Sequence, residues 1–142
     1  MACGIASSGI SSGDYSLTVV PFAPRIVQGT WPFTFDAAQA LGFYTYNTTG
    51  AAGDEISFDF FLAPGNYRVD LIGAKHNDGG DFTIRVDGTS IGTLNNFNAG
   101  GILYNQIWQI ASFTNTYGNH VLSIKATGAT RPRITCMTLT KI

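Results

Sequence analysis

The chain has 142 residues, 12% of them charged, and a formal net charge of −1 at pH 7. This length corresponds to one domain that buries a core without metal ions or disulfides. A typical soluble domain carries roughly 25% charged residues, so the polar surface here must come from Thr, Asn, Ser and Gly. Such a surface disfavours nucleic acid and suits an exported protein or one face of an assembly.

The first residues, 1–13, are small and rich in Ser and Gly, which predicts a flexible N-terminal arm followed by a folded domain over 14–142. This segment lacks the basic and apolar regions of a signal peptide, and no run in the chain is long and apolar enough for a transmembrane helix. We expect no membrane partner. The arm side chains best suited to contact an assembly partner are Cys3, Ile5 and Ile10.

From residue 14 onward the sequence predicts short strands separated by turns, beginning with the less regular half of the domain. Asp36 is placed to cap a single helical turn. The predicted elements are strands at 15–22, 31–35 and 42–47, the helical turn at 36–41, and a turn at 48–53.

Regular alternation begins at Glu55, where apolar residues take every second position. Strands are predicted at 55–62, 67–71, 82–86, 106–113, 120–126 and 134–142. Cys136 alternates with its neighbours in the last strand and is predicted to be a small buried residue. A disulfide bond between Cys136 and Cys3 is left as an alternative. The expected core residues are Ile56, Phe58, Phe60, Val69, Leu71, Ile84, Val86, Leu122 and Ile124.

Two turns between these strands have clear sequence signals. Pro64-Gly65 predicts a type II turn in which Gly65 takes a positive φ, and Asp87-Gly88 predicts a tight hairpin turn. Short strands with regular turn signals indicate an all-β protein. The fold predicted is an antiparallel, jelly-roll-like β-sandwich, a single domain with a flexible N-terminal arm.

Residues that could support catalysis are few. The only histidines are His76 and His120, and there is a single Glu. The sequence therefore offers few residues that could form a nucleophilic triad or a pair of catalytic carboxylates. We expect the protein not to be an enzyme.

The ligand-binding candidates are aromatic rings and one polar loop. Tyr104 and Tyr117 lie near loops and are the preferred sites for stacking on a sugar ring, while Asn77 and Asp78 could bond its hydroxyl groups. The loop that holds them also contains oxygen ligands of the kind calcium prefers, but we expect no cofactor. Asn47 begins a glycosylation sequon. The other aromatic candidates are Trp31, Tyr44, Tyr46, Phe97 and Trp108, the last expected in the core.

Three segments carry a resemblance to known proteins: residues 62–69 (LAPGNYRV), 86–88 (VDG) and 118–124 (GNHVLSI). Their order resembles that in family 6-type carbohydrate-binding modules. It is also similar to small jelly-roll domains of bacteriophage fibres and capsid decoration proteins. The sugar-binding modules imply loop aromatics and calcium-ligand acids, but these positions have no one-to-one match here, so none is assigned.

The resemblance, the charge-poor surface and the arm together favour a virion structural protein. The expected function is a bacteriophage head decoration (cement) or small head-fibre protein on the capsid exterior. Its partners would be the major capsid protein or another virion protein, and its expected assembly is a homotrimer. The alternative is a carbohydrate-binding module or adhesin that recognises cell-surface glycans, and a C1q/TNF-like ligand head is a third interpretation.

Overall fold

A computed structural model describes residues 16–19 and 24–142 of the chain, and these contain eleven strands and no helix, hence none that could cross a membrane. The predicted all-β architecture is therefore confirmed. The predicted arm, with Cys3, Ile5 and Ile10, lies outside the described residues. The strands are β1 (Ser16–Val19), β2 (Arg25–Gln28), β3 (Phe33–Phe35), β4 (Phe43–Tyr46), β5 (Glu55–Leu62), β6 (Gly65–Lys75), β7 (Asp81–Val86), β8 (Thr89–Asn95), β9 (Leu103–Asn115), β10 (Gly118–Ala126) and β11 (Arg133–Lys141).

The strands form two antiparallel sheets packed face to face. Sheet A has six strands in the order β3-β4-β11-β6-β9, with β1 also paired to β11. Sheet B has five strands in the order β2-β5-β10-β7-β8. From β2 to β11, only the hairpins β3–β4 and β7–β8 join strands of the same sheet, so at every other connection the chain passes from one sheet to the other. This alternation produces the jelly-roll arrangement.

The core lies between the sheets and contains all nine residues predicted for it, each less than a tenth exposed. Fully buried side chains of this size each contribute roughly 1.5–3 kcal/mol. Trp108 packs against the core with its ring edge-on to Phe82, 6.2 Å between centroids, as expected. Cys136 is buried, as predicted, and burial raises the pKa of its thiol.

Two local predictions were wrong for physical reasons. The helical turn at 36–41 is a series of tight turns, in which Asp36 Oδ1 accepts a hydrogen bond from Ala38 N (3.0 Å) without starting a helix. Short polar side chains support turns in this way as readily as helix caps. Strand β2 was not predicted at all, because its four residues are exposed at a sheet edge and carry no alternating pattern.

The two predicted turns differ in outcome. Asp87 (φ 49°) and Gly88 (φ 81°) both have positive φ, which confirms the hairpin turn as type I′. Gly65 has the positive φ that was predicted, but at 153° it begins strand β6 rather than occupying a type II turn, where φ is near +80°. At this point the chain passes from sheet B to sheet A and does not reverse within one sheet.

Candidate ligand-binding face

Five loops gather at one end of the sandwich, called here the loop end: residues 29–32, 47–54, 76–80, 96–102 and 127–132. Asn47 is fully buried there, and its Nδ2 donates to Asp54 Oδ2 (2.9 Å) and to the carbonyl oxygen of Thr130 (3.3 Å). Buried polar groups need such partners, and here they hold two of the loops together. The amide of the sequon is therefore occupied in the folded chain and unavailable for glycosylation.

A second buried amide fixes two more of these loops. Asn96 is fully buried, its Nδ2 donates to the carbonyl oxygen of Arg131 (3.0 Å), and its Oδ1 accepts from Gly80 N (2.9 Å). The backbone of His76 also donates to the carbonyl oxygen of Asn96 (2.8 Å). These hydrogen bonds tie the loops at 76–80, 96–102 and 127–132 to one another.

Asp78 lies at the centre of an ion-pair cluster in this region. Both its oxygens accept from Arg133, at 2.5 Å and 3.1 Å, and Oδ1 lies 2.7 Å from His76 Nδ1. Partial burial acts to raise the pKa of Asp78, but the hydrogen bonds and charges of Arg133 and His76 outweigh it and lower the value to about 2. Asp78 is therefore a positioning group for Arg133, while its neighbour Asn77 is exposed.

Acidic, cysteine and histidine side chains form no metal-binding cluster in the part of the chain that the structure describes. No group of three or more His, Cys, Asp or Glu residues there is arranged to hold a metal ion. The carboxylate of the polar loop is bonded to a guanidinium instead, which competes directly with a cation.

Three tyrosines form a surface on the outer side of sheet A, close to the loop end. Tyr44 and Tyr46 alternate along β4 with the buried Phe43 and Thr45, so their rings face away from the core. The rings of Tyr44 and Tyr46 are 5.6 Å apart, and Tyr46 carries a guanidinium 5.4 Å from its centroid. That guanidinium belongs to the Asp78-bound arginine, so the ion-pair cluster fixes one edge of this surface.

Tyr104 lies on β9, which β11 and β6 separate from β4 in sheet A, and it borders the same surface. Partial burial, a hydrogen bond to the Asp36 carboxylate and the proximity of Tyr44 all raise the pKa of Tyr104. The hydrogen bonds of its neighbour Asn105 to Ala38 and Ala40 place Tyr104 beside the loop between β3 and β4. We call Tyr44, Tyr46 and Tyr104, with Asp36 and Arg133 at their edge, the tyrosine face.

The loop at 36–42 is fastened beside the tyrosine face. Asn105, with a left-handed backbone (φ 54°), accepts from Ala40 N (2.6 Å) and donates to the carbonyl oxygen of Ala38 (3.1 Å). Gln39 is 3% exposed and accepts from Thr135 Oγ1 (3.1 Å), but its Nε2 has no partner. Arg133 Nε also has no partner, so two buried donors beneath this surface are unsatisfied.

The second preferred tyrosine lies elsewhere. Tyr117 is 71% exposed in the turn between β9 and β10, at the end of the sandwich opposite the loop end, and its ring meets Phe61 edge-on at 4.9 Å. The sequence placed Tyr104 and Tyr117 in one candidate set, whereas the structure separates them. Trp31 is buried in the core, and Phe97 is half exposed at the loop end.

Asp36 and Arg133 were not selected from the sequence. Asp36 was read as a helix cap, and Arg133 lies at the start of a strand where a charged side chain is normally solvated. The alternation of Tyr44 and Tyr46 was a usable signal, because a strand with rings at two successive outward positions presents an aromatic surface.

Comparison with known proteins supports the fold and leaves the family open. No protein-family model matches the chain, and a search of curated proteins found no match. Among solved structures, the chain is similar to the CBM36-1 domain of a multidomain xylanase from the hindgut metagenome of Trinervitermes trinervoides. That match has a TM-score of 0.68 and 14% identity, covering 87% of this chain and 95% of that one.

Two further solved structures are similar over nearly their whole length. A family 35 carbohydrate-binding module from Clostridium thermocellum has a TM-score of 0.68 and 16% identity, covering 87% of this chain and 96% of that one. The C-terminal CBM6 of a marine laminarinase from Zobellia galactanivorans has a TM-score of 0.63 and 15% identity, with coverages of 89% and 99%. These likenesses show a jelly-roll fold of the kind found in carbohydrate-binding modules.

Proposed function

We propose that this chain is a carbohydrate-binding module that holds a glycan on the tyrosine face. The observation that carries the proposal is the grouping of Tyr44 and Tyr46 on β4 with Tyr104 on β9, beside a loop that Asn105 fastens in place. The similar solved structures supply independent support, because they are carbohydrate-binding modules of comparable size. A fold alone does not assign a function, so the proposal depends on the chemical groups of the tyrosine face.

The tyrosine face has the chemical features that a sugar ring requires. Tyrosine offers an apolar ring with a polar tip, which suits a pyranose that presents C–H groups on its faces and hydroxyl groups around its edge. The tyrosine hydroxyl groups can donate to sugar oxygens or accept from sugar hydroxyl groups, and the Asp36 carboxylate can accept.

The same groups are poorly suited to hydrolysis. Glycoside hydrolases use two carboxyl groups, one of them with its pKa raised towards neutral so that it can protonate the leaving group. The carboxyl of Asp78, near the face, has its pKa lowered to about 2 and is bonded to Arg133. We therefore propose binding without catalysis.

This proposal takes the place of the capsid-decoration hypothesis. The charge-poor composition that favoured a virion protein suits a sugar-binding surface equally well, because neutral polar groups make the hydroxyl contacts. The similar structures described above are carbohydrate-binding modules, and they lend no support to a capsid partner, a homotrimer or a virion location. A glycan is the partner we propose.

The test is retardation in native gels that contain xylan, laminarin or β-1,3-galactan, repeated with Tyr44→Ala and Tyr104→Ala. We expect at least one polysaccharide to retard the wild-type chain and both variants to lose most of that retardation. Phe35→Ala is the matched control, because Phe35 is 82% exposed on the neighbouring strand but lies off the face. No retardation by any of the three, or retardation unchanged in both tyrosine variants, would refute the proposal.

A further inference from the structure

Two exposed aromatic rings lie at the end of the sandwich opposite the loop end, where the chain passes between the sheets. Phe61, near the end of β5, is 53% exposed, and Tyr117, just before β10, is 71% exposed. Their centroids are 4.9 Å apart with an interplanar angle of 88°. Two large rings held together in solvent present a preformed apolar surface, which we call the corner pair.

Buried side chains hold the turn that follows Phe61. Tyr67 is fully buried and its hydroxyl donates to the carbonyl oxygen of Ala63 (2.8 Å). Asn115, 5% exposed, donates from Nδ2 to the same oxygen (3.1 Å). Two donors on one carbonyl fix this turn against the end of β9.

A buried histidine holds the turn that carries Tyr117. His120 is 8% exposed, with Nδ1 2.6 Å from Asp87 Oδ2 and Nε2 3.0 Å from the carbonyl oxygen of Thr116. An ionised carboxylate and a carbonyl only accept, so both contacts are hydrogen bonds when both ring nitrogens carry a proton, as in the imidazolium form. The hydrogen bond to Asp87, opposed by burial and supported by the Thr116 carbonyl, raises the pKa of His120.

A charged buried group is a costly support for a simple turn, and its presence fits a surface that must be held in one geometry. Binding sites gain affinity when the groups that contact the ligand are fixed beforehand by a supporting layer of hydrogen bonds. Here Tyr67, Asn115 and His120 supply that layer beneath two exposed rings.

The groups around the corner pair indicate the ligand. Asn119 lies directly opposite Phe61 in the β5–β10 pairing, so its exposed amide borders the rings. Two carboxylates lie nearby, Asp59 on β5 and Asp87 in the β7–β8 turn, and each is paired with a cationic group, Arg25 and His120 respectively. This balance of charge favours a neutral ligand. Two rings and one amide are also far smaller than the roughly 800 Å² per partner of a stable protein interface.

We propose that the corner pair is a second glycan-binding site, which takes the pyranose ring of a neutral sugar with its hydroxyl groups bonded to Asn119. This inference rests on the proposed function, since it adds a site to a carbohydrate-binding module. The two sites lie at opposite ends of the sandwich. One chain could therefore engage two glycan strands, and a polysaccharide would bind with a gain from avidity.

The experiment is an NMR titration of the full ¹⁵N-labelled chain with xylohexaose, laminarihexaose and β-1,3-galactotriose, each to 10 mM. The reporters are the backbone amides of Asn119 for the corner pair and Asn105 for the tyrosine face. Tyr117→Ala and Phe61→Ala should weaken the Asn119 response about tenfold, the loss of one stacked ring, and leave Asn105 unchanged. Phe35→Ala is the exposed-ring control, and a thermal melt checks that each variant is folded.

The outcomes separate the two proposals. A response at both reporters, with Asn119 alone weakened by Tyr117→Ala, supports the second site. A response confined to Asn105 overturns it and leaves the proposed function in place. A response confined to Asn119 supports the corner pair and refutes the tyrosine face. No response at either reporter with any of the three sugars overturns both.

Discussion

Replacing Asp78 by Asn tests how much the ion-pair cluster stabilises the folded chain. The substitution keeps the size of the side chain and removes its charge. Arg133, whose side chain is 7% exposed, then loses the carboxylate that accepts from both of its terminal nitrogens. The guanidinium over Tyr46 keeps a bond to the carbonyl oxygen of Arg131 (3.2 Å) but becomes a nearly buried, uncompensated charge.

Two arguments give the loss of unfolding free energy expected for Asp78→Asn. A carboxyl whose pKa falls from 3.8 to about 2 on folding contributes about 2 kcal/mol at neutral pH, because each pKa unit corresponds to about 1.4 kcal/mol. Breaking a fully buried ion pair costs roughly 3–5 kcal/mol, but the Asp78 side chain is 29% exposed, which lowers the figure. We expect Asp78→Asn to cost about 2–3 kcal/mol, a fall in Tm of roughly 6–10 °C.

The pH dependence gives the sharper check. Because folding lowers the pKa of Asp78, its stabilisation is complete above pH 4 to 5 and is lost as pH falls through about 2. Urea unfolding at pH 7 and pH 2.5 should therefore show a difference between wild type and variant that shrinks to about a third. Asp59→Asn is the control, because its pair with Arg25 is 3.9 Å long and mostly exposed. A cost under about 0.5 kcal/mol at pH 7, or one that does not change with pH, would refute the reasoning.

Three further predictions concern other parts of the chain. Folding raises the pKa of His120, so its contribution is complete below pH 6.5 and is lost as pH rises through the folded value. Unfolding free energies from pH 6 to 9 should fall in the wild type and stay flatter in His120→Gln, and parallel curves would contradict the Asp87 pairing. Gly65→Val should cost about 1–3 kcal/mol in urea unfolding, because φ is 153° and a Cβ would lie 2.7 Å from Lys141 Cε; an unchanged midpoint would count against strain at Gly65. Incubation with xylan or laminarin should release no reducing ends, and release that disappears in Asp36→Asn would overturn the non-catalytic proposal.

Much of the fold could be predicted from the sequence because inward-facing positions alternate strictly in the central strands. Ile56, Phe58 and Phe60 repeat at every second residue of β5, and all three are buried. Edge elements lack this constraint. Strand β2 has exposed residues throughout, and its pairing with β5 is a long-range relation that no local pattern contains.

The candidate site was only partly predictable, for a related reason. Aromatic residues could be recognised as stacking groups, but their grouping depends on which strands become neighbours. Tyr44 and Tyr104 are 60 positions apart and approach each other only because four strands of sheet A place β4 and β9 on one surface. Asp78 looked like a free loop carboxylate, and its arginine partner lies 55 residues away.

The two ends of the sandwich use different chemistry to the same effect. At the loop end, the buried amides of Asn47 and Asn96 and the Asp78 ion pairs fix loops of variable shape. At the opposite end the connections between strands are short. There a single side chain can hold a turn, as His120 does through the carbonyl oxygen of Thr116. Both arrangements place the cost of ordering in the folded scaffold, so under the proposed function a glycan would meet rings already in position. Fixed rings and amides would then provide the selectivity, because long-range electrostatic attraction contributes little to the encounters of a protein with few charges.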